Sequence, residues 1–87
     1  MNKTDPPSFE DYDNALAAVL LARKKQLKMN FLELSLVSGM KYQQVMRLVN
    51  GHRPMQFSEL VALCHGLDIT VQEVARLTEE RVANTST

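Results

Sequence analysis

The fold is decided by residues 31–50, which read FLELSLVSGMKYQQVMRLVN. Asn30 and Glu33 have the spacing of a capping box, so a helix is predicted to begin directly after Asn30. Gly39 then interrupts the apolar pattern, and glycine readily adopts the positive φ of a tight turn. Another helix is predicted over about residues 42–50. The stretch therefore predicts two short helices joined by a glycine turn.

The second of these helices carries a polar face. Between Glu33 and Glu59 the chain has no acidic residue, so no carboxylate in this stretch of sequence repels a phosphate. Gln amides and Arg guanidinium groups can grip adenine and guanine edges in the major groove of DNA. The side chains that we expect to read bases are Lys41, Tyr42, Gln43, Gln44 and Arg47. An ordinary solvated helix face has the same composition, and the pattern alone leaves that alternative open.

The rest of the chain has the pattern of three more helices. Ser8 with Asp11 and Thr70 with Glu73 predict capped starts for the first and the fifth helix, and Gly51 is placed to end the third. No alternation of the strand type occurs, so the predicted fold class is all-α. The side chains predicted to be buried are Tyr12, Leu16, Val19, Leu20 and Leu27 in the first helix, Phe57, Leu60, Val61, Leu63 and Cys64 in the fourth, and Val71, Val74, Ala75 and Leu77 in the fifth.

Length and composition indicate one small domain. Eighty-seven residues, 45% of them apolar, suffice for a compact core. We predict a flexible segment over 1–7, a single domain over 8–83 and a flexible tail over 84–87. The single cysteine excludes an intrachain disulfide and is typical of a reducing compartment. Because neither a membrane span nor a signal peptide is apparent, we expect a cytoplasmic protein with no membrane partner.

Charge is segregated along a chain that is neutral overall. Residues 1–13 contain one lysine against four acids, residues 14–58 seven basic residues against one acid, and residues 59–87 two arginines against five acids. The basic middle segment permits binding to phosphate through one face. The sequence pI near 6.7 nevertheless lies below that of many nucleic-acid-binding domains.

Residues 31–50 resemble the twenty-residue helix-turn-helix unit of the phage-repressor-like (Cro/cI, XRE-type) family. The residues that carry the resemblance are Leu34, Ser35, Gly39, Met40, Val45 and Leu48, followed by the turn Asn50-Gly51-His52-Arg53-Pro54 and an apolar tail over 57–74. It covers about residues 22–77. Two departures are Phe31, where the family often has Gln, and Lys41, where it often has a Ser or Thr cap. The resemblance implies a five-helix lambda-repressor-like helix-turn-helix domain.

The resemblance also implies a function and a set of roles. It implies a sequence-specific regulator of transcription that binds double-stranded DNA and acts as a repressor, with activation left open. The positions that would contact phosphate are Asn30, Asn50, His52 and Arg53. A domain of this size buries little DNA surface, so a homodimer is expected, with Val74, Leu77 and Val82 as its surface. Lys24, Lys25 and Lys28 either reach flanking phosphates or are solvated.

Helix two supports an alternative function. Phe31, Leu32 and Leu36 stand where the family usually exposes polar residues, and residues four apart share one helix face. Either the first helix covers this stripe through Phe9 and Tyr12, which we expect, or the stripe contacts another protein. In the second case the chain would be a protein-interaction module, such as an antitoxin-like or regulatory partner.

The sequence does not predict an enzyme. Cys64 lies in an apolar stripe and is expected to be a small core residue rather than a nucleophile. His52, Cys64 and His65 lack the spacing of a metal site, and no glycine-rich loop is placed to hold a phosphate. We therefore expect neither a metal nor another cofactor.

Overall fold

The computed structural model describes residues 6–86, and the regular structure in that range is helical throughout. The helices are α1 Phe9–Gln26, α2 Phe31–Ser38, α3 Tyr42–Val49, α4 Phe57–Gly66 and α5 Val71–Ser86. The predicted all-α, five-helix fold is confirmed. The predicted flexible ends lie partly outside the described residues, which exclude 1–5 and 87, whereas residues 84–86 belong to α5. None of the helices described has the length and apolarity needed to cross a bilayer.

Local signals place the helix ends. Ser8 Oγ accepts from the Asp11 amide at 3.1 Å, and Asn30 Oδ1 accepts from the Glu33 amide at 2.8 Å. In both pairs the acidic side chain accepts from the backbone amide of the capping residue in return. Gly39 ends α2 with φ 71°, a left-handed conformation that costs other residues about 1–2 kcal/mol. These predicted caps and the predicted turn are confirmed.

The core lies where α1 packs against α5 and where α2 packs against α3 and α4. Its largest fully buried side chains are Leu20, Leu34, Leu48, Leu63, Leu67, Val45, Val49 and Val74. Cys64 is also buried, and burial raises the pKa of its thiol. Within residues 6–86 no group of three His, Cys, Asp or Glu side chains is close enough to hold a metal ion.

Several side chains predicted to be buried are exposed instead, namely Tyr12, Leu27, Phe57, Val61 and Ala75. Phe57 is 71% exposed. In α4 the fully buried Leu63 marks the centre of the packed face, and the helical repeat places Val61 about 160° away from it around the helix axis. Phe57, in the first turn, lies about 120° from Leu63 and therefore at the edge of that face. The apolar stripe read from the sequence was therefore wider than the face that packs.

The predicted dimer surface needs a correction. Val74 and Val82 are buried within the protomer, because α5 packs along α1 and uses this face of the helix for the core. Neither side chain is available to a second copy at the surface. Leu77 is half-buried and lies beside a shallow groove between α1 and α5, so it alone among the three predicted residues borders solvent.

Candidate nucleic-acid interface

α3 presents a polar face to solvent. Val45, Leu48 and Val49 are buried on one side of the helix, and the helical repeat places Gln43 and Arg47 on the opposite side. Four of the five predicted base-reading side chains are exposed, namely Lys41, Tyr42, Gln43 and Arg47. Their exposure fits the predicted role, which stays a prediction.

Gln44, the fifth, lies at the flank of this face and is half-buried. Its Nε2 donates a hydrogen bond to Glu59 Oε2 at 2.8 Å. A carboxylate only accepts hydrogen bonds, so this contact fixes which end of the Gln44 amide points toward α4. Gln44 therefore connects α3 to α4, in addition to any contact it makes with a ligand.

Arg53, predicted to contact phosphate, is paired with the same carboxylate. Its Nη1 lies 3.2 Å from Glu59 Oε1 and its Nη2 lies 2.6 Å from Glu59 Oε2. Nη1 also donates to the Pro54 carbonyl at 3.2 Å. Asn50 and His52, in the same turn, are exposed. The turn thus offers Asn50 and His52 to solvent, while much of the Arg53 charge is balanced within the protein.

These bonds hold Glu59 in its ionised form. Arg53 first, then the Gln56 amide and Gln44, lower the pKa of Glu59 from 4.5 to about 2. Because the pKa is lower in the folded state, the carboxylate stabilises the fold at neutral pH, and that contribution is lost as the pH falls from about 4.5 toward 2. The carboxylate is therefore a permanent negative charge at physiological pH.

The start of α2 is occupied by a carboxylate as well. A phosphate at this helix start would need the backbone N–H of Asn30, but that group already donates to Glu33 Oε1 at 2.9 Å. Helix N-termini attract anions, and here the anion is part of the chain. A phosphate at Asn30 would have to compete with Glu33, so this predicted contact has weaker support than those of α3.

Two further acids lie beside the turn after α3. A shallow cleft is lined by Glu10, Asp13 and Asn14 of α1 on one side and by residues 51–54 on the other. Both carboxylates are exposed. They reduce the positive potential that the turn presents to a polyanion. This neighbourhood was missed because the acids precede the turn by about forty residues.

Lys24 and Phe31 contact each other, which was predicted neither for the lysine nor for the phenylalanine. Lys24 is buried, its Nζ donates to the Met29 carbonyl at 3.0 Å, and it lies 4.5 Å from the centroid of the Phe31 ring. The expectation that Lys24 reaches phosphate or is solvated is therefore wrong, because its ammonium is used inside the protein. Lys25 and Lys28 are exposed, and Phe31 is half-buried.

The apolar stripe of α2 is uncovered. Leu32 is 56% exposed and Leu36 is 73% exposed, and Val37 beside them is exposed as well. Phe9, which we expected to cover the stripe, is itself 90% exposed. The expected intramolecular cover is therefore wrong, and the stripe faces solvent in the described protomer.

Comparison with known proteins supports the fold. No protein-family model matches the sequence, and no curated protein matches it significantly. The chain is similar to the crystal structure of the clp gene regulator ClgR from Corynebacterium glutamicum, with a TM-score of 0.80. The identity is 21%, and the match covers 93% of this chain and 84% of that chain. At this identity the likeness concerns the helix-turn-helix fold, and the Cro/cI-type assignment stays a prediction.

Proposed function

We propose that this protein is a transcriptional regulator that binds double-stranded DNA sequence-specifically, with α3 in the major groove. The observation that carries the proposal is the exposed face of Tyr42, Gln43 and Arg47, which stands directly after a glycine turn. The described ion pairs leave Arg47 uninvolved, since they join Arg53 to Glu59 and Arg76 to Glu73 and Glu80. The similarity of the fold to a gene regulator supports the same function.

The proposal gives each exposed group a role. Gln43 and Arg47 occupy the centre of the face, where an amide can pair with adenine and a guanidinium with guanine. Tyr42 contacts a thymine methyl or a phosphate at the edge. Asn50 and His52 position the helix on the strands through phosphate, which supplies affinity without reading sequence. Lys41, expected from the sequence to read bases, is assigned to phosphate as well, because it precedes the first turn of α3. Bound to a promoter, such a protein represses transcription by excluding polymerase.

A homodimer is part of this proposal. One short helix contacts few base pairs, and paired helices on a two-fold axis read half-sites about 10–10.5 base pairs apart. Because Val74 and Val82 are buried, we expect the apolar contribution of α5 to come from Leu77 at its groove with α1.

The test is selection of bound sequences from random duplexes at near-physiological salt. The wild type should enrich one motif with two related half-sites about one helical turn apart. A Gln43→Ala/Arg47→Ala double variant serves as the control, because both side chains are exposed and their loss should leave the fold intact. A library that shows no enrichment with the wild type would contradict the proposal.

Lys41→Ser is expected to stabilise the fold by about 0.5–2 kcal/mol and to weaken duplex binding. Lys41 precedes α3 without any side-chain capping bond, and a cation is unfavourable at a helix N-terminus. Serine supplies the missing acceptor and removes a charge that phosphate attracts. Urea unfolding measures the first effect, and duplex titrations at several salt concentrations measure the second.

Lys41→Gln is the matched control, because it removes the charge while glutamine is a poor cap. It should weaken binding as Lys41→Ser does, with little gain in stability. Unchanged binding in both variants would show that Lys41 does not contact the duplex.

A second candidate function rests on the α2 stripe. Contiguous patches of exposed apolar side chains are typical of protein contact surfaces, and the exposed Leu32 and Leu36 are neighbours on one face of α2. The chain would then act as an antitoxin-like or regulatory partner of another protein. In a Leu32→Ser/Leu36→Ser variant, lost binding of a partner together with unchanged duplex binding would support this function. Unfolding of the variant would instead show that the two leucines are covered in solution.

A further inference from the structure

We propose that Glu59 is a positioning residue of this interface, whose carboxylate holds α3 and the following loop in the pose that fits a specific duplex. The inference deepens the proposed DNA-binding function and rests on it. Glu59 belongs to the first turn of α4 and lies outside the segment that was expected to contact DNA.

The carboxylate joins three segments of the chain. It accepts from Gln44 Nε2 of α3 at 2.8 Å and from the Gln56 amide before α4 at 2.9 Å. From the loop it accepts hydrogen bonds from both terminal nitrogens of Arg53, at 3.2 and 2.6 Å. The Glu59 side chain is only 11% exposed. One group thus connects the flank of the exposed face of α3, the loop after α3 and the first turn of α4.

These contacts are directional, so they set orientation as well as distance. Each terminal nitrogen of Arg53 donates to its own oxygen of Glu59, and such paired bonds are geometrically specific. Gln44 immediately follows Gln43 and precedes Arg47 by one helical turn. The Gln44 bond therefore adds a directional restraint on the rotation of α3 to the packing of its buried face, and so on the directions of Gln43 and Arg47.

The charge of Glu59 separates a positioning role from an electrostatic one. A negative charge beside a duplex-binding surface opposes binding to every sequence, because each duplex is a polyanion. If Glu59 acted through its charge alone, neutralising it would strengthen binding to specific and random duplexes alike. If Glu59 positions α3, neutralising it weakens binding to the specific duplex although the protein becomes more positive.

The decisive variant is Glu59→Gln, measured with the full chain against the duplex that the wild type selects and against a random duplex of equal length. We expect affinity for the selected duplex to fall by about tenfold, because restoring the binding pose then costs about as much as one charge-assisted hydrogen bond. Affinity for the random duplex should be unchanged or rise. The preference for the selected duplex therefore falls.

Glu10→Gln is the matched control. It removes the same charge from an exposed side chain that lines the cleft beside residues 51–54, and Glu10 makes none of the Glu59 contacts. It should strengthen binding to both duplexes equally. If Glu59→Gln behaves like Glu10→Gln, the inference is wrong and the proposed function stands. If the wild type shows no preference for any duplex, the proposed function itself fails.

Two further variants separate positioning from simple stabilisation. Gln44→Ala breaks the contact on α3 and leaves the Arg53 pair in place, whereas Arg53→Lys keeps the charge and loses the paired bonds. Far-ultraviolet circular dichroism and urea unfolding give the folded fraction, for which the affinities are corrected. A corrected preference that stays at the wild-type value in Glu59→Gln and Gln44→Ala would show that Glu59 is merely structural. A drop in both, with no further drop in the double variant, would support positioning.

Discussion

Leu34→Ala is expected to lower the free energy of unfolding by about 2–5 kcal/mol, whereas Leu36→Ala is expected to change it by less than about 0.5 kcal/mol. The two leucines stand two residues apart on α2, yet Leu34 is fully buried and Leu36 is 73% exposed. Removing Leu34 leaves a cavity in the core, and removing Leu36 leaves none. Urea unfolding followed by circular dichroism measures both values.

This pair of variants also tests the state of the α2 stripe in solution. If Leu36→Ala destabilises the protein as much as Leu34→Ala does, Leu36 must be covered in solution. A dependence of that loss on protein concentration would then identify self-association as the cover, because burial between copies makes stability depend on concentration. Equal slopes of unfolding free energy against urea would show that the same surface is exposed on unfolding in both variants.

The predictions that held depend on residues close together in the sequence. The capping pairs and the turn at Gly39 each need four or five residues, and the structure has them as predicted. The side chains that were misplaced depend on which distant helix packs on which face. Val82 is buried because α5 lies along α1, and the apolar pattern of α5 cannot distinguish a core contact from a contact between copies.

The candidate site shows the same division. The exposed face of α3 follows from its helical period, so Gln43 and Arg47 could be placed from the sequence. In the sequence no acidic residue lies between Glu33 and Glu59. In the folded protein, carboxylates from outside that stretch lie beside it. Glu59 reaches Gln44 across fifteen residues, and Glu10 and Asp13 approach residues 51–54 from the first helix. Long-range approach of charges is what the sequence could not show.

The placement of these charged groups affects nonspecific and sequence-specific binding to DNA differently. With Lys24 buried and Arg53 paired, fewer free cations face the duplex than the basic middle segment suggests. Nonspecific binding, which depends on phosphate neutralisation, should therefore be weak. Under the proposed function, discrimination would then depend mainly on base contacts from α3. Arg47, which takes part in none of the described ion pairs, is the most informative of these contacts to test.

Arg47→Ala is expected to abolish the preference for one base at one position of each half-site. A bidentate contact of arginine with guanine gives about 1–3 kcal/mol of discrimination, or about 5- to 150-fold in affinity. Arg47 is exposed in the last turn of α3, so its removal should leave the fold intact. Repeating the selection from random duplexes with the variant shows whether a single position of the motif is lost.

Arg76→Ala is the control for charge. Arg76 is exposed on α5, where it pairs with Glu73 and Glu80, and its loss removes one positive charge as Arg47→Ala does. It should leave the selected motif unchanged, since Arg76 belongs neither to the proposed DNA contacts nor to the groove at Leu77 that is proposed for the dimer. If both variants lowered affinity for selected and random duplexes by the same factor, Arg47 would contribute charge alone. Base reading would then have to come from Tyr42 and Gln43, and the motif of an Arg47→Ala variant would keep every position.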